Sequence, residues 1–399
     1  MARRLSRNVV ALGGVSFLTD VATEMIYPLL PLFLATVLGA NASFIGAIEG
    51  AAESTAALLK LASGWWSDKV KKRKPLVVLG YGIATIARPF TAMAQTATQV
   101  LAIRLTDRVG KGIRTAPRDA LLADSTDEES RGRAFGFHAA MDNAGAVLGP
   151  LVAFLLLHQF NFSLRHVFWL AAVPGALAFV VLVIAVKEIE HKDIGDSAST
   201  PHLSTREKLG RRFWVYLGVV FLFTLGNSTD AFLLLRANQL GVAVALAPIL
   251  WAFLNLIKAA LGTWGGSLSD RVGRKPLIVA GWAIYALVYF GFAKATHQWH
   301  AWALFASYAV FYALTEGTEK ALVADLVPKE RRGAAFGWFN LAIGLGALPA
   351  SLIFGAIWDR AGSSTAFTFG ATLAILASLG MLVVAPNQSR MPVKAGQEQ

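Results

Sequence analysis

Residues 120–137 read ALLADSTDEESRGRAFGF, and residues 321–338 read ALVADLVPKERRGAAFGW. The two stretches lie 201 residues apart and are identical at 10 of 18 aligned positions. A shorter pair supports them at almost the same spacing, GWWSD at 64–68 and GSLSD at 266–270, each followed closely by RKPL. Duplication at this spacing predicts a chain built from two halves of similar structure.

The composition indicates that lipid surrounds most of the chain. Of the 399 residues, 55% are hydrophobic and 16% are charged, whereas about a quarter of a soluble protein is charged. A polar stretch at 188–211 separates the chain into a first half, 1–187, and a second half, 212–399. Each half contains six apolar segments that are long enough to cross a hydrocarbon core of about 30 Å, at residues 8–39, 43–67, 74–94, 98–123, 133–158, 164–187, 212–240, 244–268, 276–294, 299–326, 333–359 and 363–385.

Several classes of function are excluded by what the sequence lacks. The chain has no cysteine, and its seven histidines show no metal-ligand spacing, so we expect no metal, no cofactor and no thiol enzyme. The glycine-rich loop that binds ATP phosphates is also missing. A net charge of +12 could indicate a nucleic-acid partner, but the basic residues form no basic face with interleaved aromatics. They lie between the apolar segments.

The distribution of lysine and arginine predicts the orientation. Only Arg165, Lys294 and Arg360 lie in loops on one side, and the other loops and both termini carry the rest of the loop charge. Because basic loops stay in the cytoplasm, we predict a multi-pass protein of the plasma (inner) membrane with both termini cytoplasmic. We expect it to function as a monomer in the bilayer.

Ionisable residues inside the apolar segments predict a polar interior. Each ionised group in lipid costs roughly 2.5 to 3.5 kcal/mol or more unless it faces a partner or water. These segments contain as many acidic as basic residues, which favours mutual pairing: Lys60, Arg88, Arg104, Arg108, Lys111, Arg114, Arg118, Arg236, Lys258, Lys320, Asp20, Glu24, Glu49, Glu53, Asp107, Asp119, Asp142, Asp230, Glu316 and Glu319.

The stretch Gly266-x-Leu-x-Asp-Arg-x-Gly-Arg-Lys275 is similar to the loop signature that follows the second and eighth helices of the major facilitator superfamily. The first half has Lys71 at the position of the inner glycine. The resemblance implies an all-α membrane protein of twelve transmembrane helices in two pseudo-symmetric six-helix bundles. It also implies alternating access to a site between the bundles.

A conformational latch follows from the same motif. An aspartate at a helix N-terminus is favoured by the helix dipole, so we expect Asp68 to meet the eleventh segment near Arg332 and Asp270 to meet the fifth near Arg131. The other interpretation is that these basic loops only fix the topology. The residues we assign to gates and latch are Glu49, Glu53, Gly64, Asp68, Arg118, Asp119, Asp124, Arg131, Gly266, Asp270, Arg274, Glu319, Lys320, Asp325 and Arg332, with Arg118 and Asp119 expected to pair with Glu319 and Lys320 across the halves.

A basic stripe runs along the fourth segment. Arg104, Arg108, Lys111, Arg114 and Arg118 share one helix face over about 21 Å. The resemblance implies a role for Arg108 in proton coupling. The stripe is either a seat for an anion or a set of structural ion pairs with nearby acids. On the first interpretation, the substrate-binding residues are Arg104, Arg108, Lys111, Arg114, Tyr27, Asn143, Asn227, Asn255, Lys258, Tyr312 and Glu316.

Carboxylates in the cavity provide candidate proton sites, because a cavity carboxylate can gain or lose a proton as its hydration changes. Thr23-Glu24 recurs as Thr229-Asp230 in the second half. We therefore assign proton coupling to Glu24 and Asp230, with Asp20 and Asp142 beside them.

These features together predict a secondary active transporter that couples protons to a small organic anion. An alternative is a drug/proton antiporter for cationic or amphipathic compounds. The stretch Gly145-x-x-x-Gly149-Pro150 resembles the superfamily's antiporter motif, although close helix packing by small residues explains it equally well. A third alternative is a membrane receptor that does not transport.

Overall fold

The computed structural model describes residues 5–69, 72–127, 130–189, 209–328 and 331–384, and α-helices account for nearly all of them. The linker predicted at 188–211 lies mostly outside these ranges. A short 3₁₀ segment at Arg88–Met93 extends α4, and another at Val244–Leu246 precedes α11. The helices are α1 Arg7–Ile26, α2 Leu30–Thr36, α3 Ala42–Lys69, α4 Lys74–Ala87, α5 Ala97–Asp124, α6 Arg131–His158, α7 Leu164–Leu170, α8 Ala172–Ala185, α9 Arg211–Gly226, α10 Ala231–Gln239, α11 Ala247–Val272, α12 Arg274–Lys294, α13 Gln298–Leu326 and α14 Arg332–Val383.

The described helices can be grouped into the twelve membrane-crossing segments that the sequence predicts. Eight helical stretches of the described residues are long and apolar enough to cross a membrane by composition. One of them is α14, whose 52 residues divide at Gly362, where φ is 85°. The helices α3, α5 and α13 are equally long but carry more charge. Proline and glycine interrupt other segments, so that α1 with α2, α7 with α8 and α9 with α10 each form one crossing.

Two bundles related by pseudo-symmetry confirm the duplication in the sequence. In the first half α3 and α4 both pack on α5, and in the second half α11 and α12 pack on α13 in the same way. An ion pair also recurs at the 201-residue offset. Arg73 binds Asp124 in the first bundle, and Arg274 lies 3.4 Å from Asp325 in the second. The repeat therefore preserves side-chain contacts as well as helix order.

The bundles contact each other along two seams, α3 with α14 and α6 with α11. We call the end of the molecule with the Arg73 and Arg274 pairs the basic face and the other end the opposite face. At the opposite face Asp359 of α14 accepts hydrogen bonds from the backbone N–H groups of Ala42 (3.0 Å) and Ser43 (2.8 Å). This carboxylate caps the first turn of α3 from the other bundle and closes that end of the seam.

Toward the basic face the two bundles separate. The α3–α14 seam is tight as far as Ala57: the Ser54 hydroxyl donates to the carbonyl of Gly344 at 2.5 Å, and a Cβ added at Gly344 would clash with the Cβ of Ala57. Beyond that point a cavity of about 670 Å³ lies between the second half of α3 and the first turns of α14. The structure is therefore closed at the opposite face and open at the basic face.

Candidate functional site

A cavity of about 200 Å³ lies between the bundles near the middle of the membrane-crossing helices. Its walls come from α1, α3, the end of α4 and α5 in the first bundle and from α11 in the second. It contains more ionisable groups than apolar ones, which matches the polar interior predicted from the sequence. The lining residues are Asp20, Thr23, Glu24, Tyr27, Glu53, Arg88, Arg108, Lys111, Arg114 and Trp251.

The basic stripe of α5 faces this interior, but its outer members are engaged in ion pairs. Arg104 donates two hydrogen bonds to the carboxylate of Glu49, from Nε at 3.0 Å and from Nη2 at 2.6 Å, and both side chains are buried. Fork geometry of this kind is typical of a strong structural pair. The structure thus places Arg104, predicted to bind substrate, and Glu49, predicted as a gate, in one buried contact between α5 and α3.

A second buried pair joins α4 to α5. Arg88 Nε lies 2.8 Å from Asp107 Oδ1, and its Nη1 donates to the carbonyl of Thr19 at 3.4 Å. At the end of the stripe nearest the basic face, Arg118 binds its neighbour Asp119 at 2.8 Å. Three of the basic residues around the site are therefore neutralised by carboxylates of their own bundle.

The middle of the stripe is only partly neutralised. Arg108 lies 3.2 Å from Glu53, whose side chain is 49% exposed, and the buried Nε of Arg108 has no partner among the described residues. Arg114 is buried with its guanidinium 4.1 Å from the Tyr81 ring centre, and its Nε and Nη1 are unpartnered within the described part of the chain. Lys111 has no carboxylate within 4.0 Å in the described ranges, so positive charge is available here.

Two carboxylates of α1 face this positive charge across the cavity. Glu24 accepts a hydrogen bond of 2.7 Å from the indole N–H of Trp251, whose ring also contacts that of Tyr27 in a tilted arrangement with ring centres 5.0 Å apart. Asp20 lines the same cavity one turn away. Glu24 is thus held between the two bundles, since Trp251 belongs to α11.

The glycine motif of α6 sets the position of these carboxylates. A Cβ added at Gly145 would lie 2.8 Å from the Cβ of Asp20, and one added at Gly149 would lie 2.9 Å from the Cβ of Glu24. Contacts this short leave room only for glycine, so α1 and α6 approach closely at the two acidic positions. Helix packing accounts for the motif in this structure.

Asp230, the second-half counterpart of Glu24, lies in a different environment. It accepts hydrogen bonds from the hydroxyls of Tyr308 (2.6 Å) and Tyr312 (3.0 Å). The ammonium of Lys258 lies 3.8 Å from the ring centre of Tyr312. Lys258 and Tyr312 line a separate recess of about 230 Å³ with Glu316. The two proton-site candidates are therefore not equivalent in their surroundings.

The other predicted contacts are distributed around the cavity rather than inside it. Asn255 donates to the carbonyl of Ala146 at 3.3 Å and so joins the bundles, whereas Asn143 is exposed. Asn227 accepts from the hydroxyl of Tyr285 at 3.3 Å. Asp142 accepts from the hydroxyl of Ser16 and lies 3.5 Å from His138 on the side of the basic face.

The residues assigned to the latch make contacts within their own bundles in this conformation. Arg274 binds Asp270 at 2.6 Å, and Arg332 Nε donates to the carbonyl of Ala324 at 3.2 Å. The expected cross-bundle pairs of Arg118 and Asp119 with Glu319 and Lys320 are not formed here: Glu319 accepts from the indole of Trp282 at 2.8 Å, and Lys320 lies 3.8 Å from Glu316. The separation of the bundles at the basic face explains the difference. The Asp68 side chain lies outside what the structure describes. Gly64 lines the larger cavity. The other assigned residues lie within helices: Gly266 in α11, Asp124 in α5 and Arg131 in α6.

Trp251 is the main residue of the site that sequence reasoning did not identify. A tryptophan in an apolar segment is usually interpreted as a packing residue or as part of the lipid-facing surface. The useful signal was its spacing: Asn255 and Lys258 follow at four and seven residues on one helix face, and both were predicted to line the interior.

Comparisons with known proteins agree with this architecture. The model of the Major Facilitator Superfamily matches residues 12–351. An uncharacterized MFS-type transporter of Methanocaldococcus jannaschii is 35% identical over 391 residues, with 96% of each chain covered. The methyl viologen resistance protein SmvA of Salmonella typhimurium is 26% identical, with 83% of this chain and 77% of SmvA covered. The solved structure of the POT family transporter PepTSo superposes with a TM-score of 0.79 at 13% identity, covering 96% of this chain and 98% of that one.

Proposed function

Because this chain belongs to the major facilitator superfamily, we propose that it carries small organic anions together with protons. Membership of the family makes it a multi-pass integral membrane protein and a secondary transporter rather than an enzyme. The observation that supports an anion is the positive charge of Lys111 and Arg114, which lack carboxylate partners among the described residues.

The charge balance of the cavity favours binding of proton and anion together. Arg88 and Arg108 are paired with Asp107 and Glu53, so Lys111 and Arg114 face only the two α1 carboxylates. When these carboxylates are protonated, two positive charges are left uncompensated and attract an anion. When they are ionised, they neutralise the same charges and compete with the anion. Protonation therefore favours loading.

The conformation of the two bundles fits one state of an alternating-access cycle. The basic face carries the loops that the positive-inside rule assigns to the cytoplasm, so the present conformation corresponds to one open inward. Rocking one bundle against the other would close the basic face and break the contact of Asp359 with α3 at the opposite face. Anion and proton would then be exposed to the other side of the membrane.

Charge removal at Lys111 tests the anion assignment. We expect Lys111→Gln to lower counterflow of a small organic anion in proteoliposomes by roughly tenfold or more, since a hydrogen bond to a charged group contributes about 1.5 to 3 kcal/mol. The anion is chosen beforehand by a thermal-shift screen of mono- and dicarboxylates at several pH values.

Lys294→Gln is the matched control, because Lys294 lies at the end of α12 with its ammonium 5.9 Å from the Phe290 ring centre. It should leave counterflow unchanged. Unchanged counterflow in Lys111→Gln would reject the role of this lysine. Specific anion binding without counterflow would instead favour the receptor alternative.

Export of organic cations is the second candidate, and a specific observation favours it. Glu24, Tyr27 and Trp251 form a corner with two aromatic faces and one carboxylate, which suits an organic cation. SmvA, whose name refers to methyl viologen resistance, covers most of this chain. If this candidate is right, methyl viologen will stabilise the purified protein and Glu24→Gln will abolish that effect.

A further inference from the structure

The larger cavity between the bundles is an apolar groove. One wall is a stripe of α3 that includes Leu61 and Trp65, and the other is the first third of α14, including Phe336, Trp338 and Leu341. Its apolar walls contrast with the charged central cavity. Leu61 and Trp338 on its two walls are 36% and 39% exposed, so apolar surface in the groove is accessible to a ligand.

The groove adjoins the charged cavity. Glu53 lines both, and on its other side it pairs with Arg108. From Glu53 to Trp65 the groove runs twelve residues along α3, roughly 18 Å at 1.5 Å per residue. A molecule with its charged group among the α5 cations could therefore extend an apolar part along the groove without leaving the protein.

The groove is flanked by exposed apolar side chains. It lies in the α3–α14 seam, beside outward-facing residues such as Leu58 and Leu345, which are 46% and 51% exposed. Within it Lys60 lies between Glu53 and Trp65 and has no carboxylate within 4.0 Å among the described residues. A single cation on an apolar path is complementary to an anionic headgroup that moves along it.

We propose that the groove is the access route and tail-binding site of an amphipathic anion that enters from the lipid leaflet at the basic face. The apolar part occupies the α3–α14 groove, and the charged group passes Lys60 to reach Lys111 and Arg114. This inference rests on the proposed anion transport and narrows its substrate to anions with an apolar chain.

Gly337 provides a direct way to fill the groove. The nearest atom to a Cβ added there is Leu61 Cδ2 at 3.9 Å, so Gly337→Leu adds a side chain to open space without a backbone clash. Gly136 is its equivalent at the 201-residue offset in α6, and a Cβ there meets nothing within 4 Å. Gly136→Leu is therefore a matched control at a position that does not line the groove.

The experiment compares counterflow of methanesulfonate and decanesulfonate in proteoliposomes, with the long-chain compound below its micelle-forming concentration. Both stay ionised, so passive leakage of the acid does not interfere. In the unmodified protein we expect stronger transport of decanesulfonate. Gly337→Leu should reduce decanesulfonate transport by about tenfold or more, because it displaces several buried methylene groups, and should change methanesulfonate transport by less than about twofold. Gly136→Leu should change neither.

The outcomes separate this inference from the proposed function. Equal transport of both sulfonates, unaffected by Gly337→Leu, would overturn the groove proposal and leave anion transport intact. Failure of both sulfonates to bind or move would reject anion transport itself. If Gly337→Leu does not fold, Ala334→Leu on the same wall of the groove tests the same expectation.

Discussion

The basic residues of α5 have different partners although they share one helix face. Arg104 is neutralised by Glu49 in a buried fork, whereas Lys111 and Arg114 keep their charge for the cavity. The ion-pair interpretation of the stripe therefore describes Arg104, and the anion seat is proposed only for Lys111 and Arg114. The acids of α3 decide which basic residues are neutralised. Glu49 pairs with Arg104 and Glu53 pairs with Arg108, so the described part of α3 supplies carboxylates to only two of the five basic residues.

Loss of the Glu49 carboxylate should destabilise the protein. In Glu49→Gln the buried guanidinium of Arg104 keeps, among the described residues, one acid within 4.0 Å, Asp107 at 3.9 Å. Breaking a buried ion pair by removing one partner costs about 3 to 5 kcal/mol. We expect a loss of stability in the lower part of this range, measured by unfolding in mixed micelles of rising SDS content.

Glu316→Gln is the control for this measurement. Its partner Lys320 is 3.8 Å away, and both side chains are more than half exposed, so the change in stability should stay within about 0.5 kcal/mol. Equal stability of the two variants would contradict a structural role for the Arg104–Glu49 pair.

Sequence reasoning could identify the charged side chains of the site but not their partners. The stripe on α5 and the acids of α1 and α3 were evident from helical spacing. Whether Arg104 meets Glu49 or a substrate depends on how α3 and α5 are rotated about their axes, and helical spacing within one segment carries no information about that rotation. Trp251 was missed for the same reason, since its indole matters only because Glu24 lies opposite it in the other bundle.

At the scale of the helices, the start of α3 connects the two bundles. Its first turn has two separate acceptors: Asn41 of the same chain segment accepts from the N–H of Phe44 at 2.9 Å, and Asp359 accepts from Ala42 and Ser43 across the seam. The first contact lies within one bundle, whereas the second joins the two bundles. We therefore expect the second contact to stabilise the conformation that is closed at the opposite face.

Removal of the Asp359 carboxylate should shift the conformational equilibrium. Loss of a helix cap costs about 1 kcal/mol, which corresponds to roughly a fivefold change in an equilibrium constant. Asp359→Ala should therefore increase the population open at the opposite face. The chain contains no cysteine, so spin labels at Gln95→Cys and Gln298→Cys, one in each bundle, report the distance directly by pulsed electron resonance.

Asn41→Ala separates the conformational effect from simple helix destabilisation. It removes a cap of the same helix within one bundle and should lower stability without changing the distance distribution. If Asp359→Ala also left the distances unchanged, the contact would have no part in closing the opposite face.

The fold of the whole molecule was more predictable than its conformation. Twelve segments, the duplication and the family resemblance all follow from hydropathy and repeated motifs, and the segment bounds agree closely with the helices. Whether the bundles are closed or open at a given face does not follow, because the gate residues are compatible with either arrangement. In this structure the pairs at the basic face form within each bundle, and a cavity lies between α3 and α14 toward that face.

The proposed function requires that an anion and protons bind in this cavity together. If protonation of Asp20 and Glu24 favours anion binding, thermodynamic linkage has two consequences. Anion binding must take up protons from solution, and the affinity for the anion must fall as pH rises. Titration calorimetry of the anion into the purified protein, in buffers of different ionisation enthalpy, counts these protons. We predict net proton uptake that is reduced in Glu24→Gln. Proton release, or binding without any change in protonation, would contradict the account.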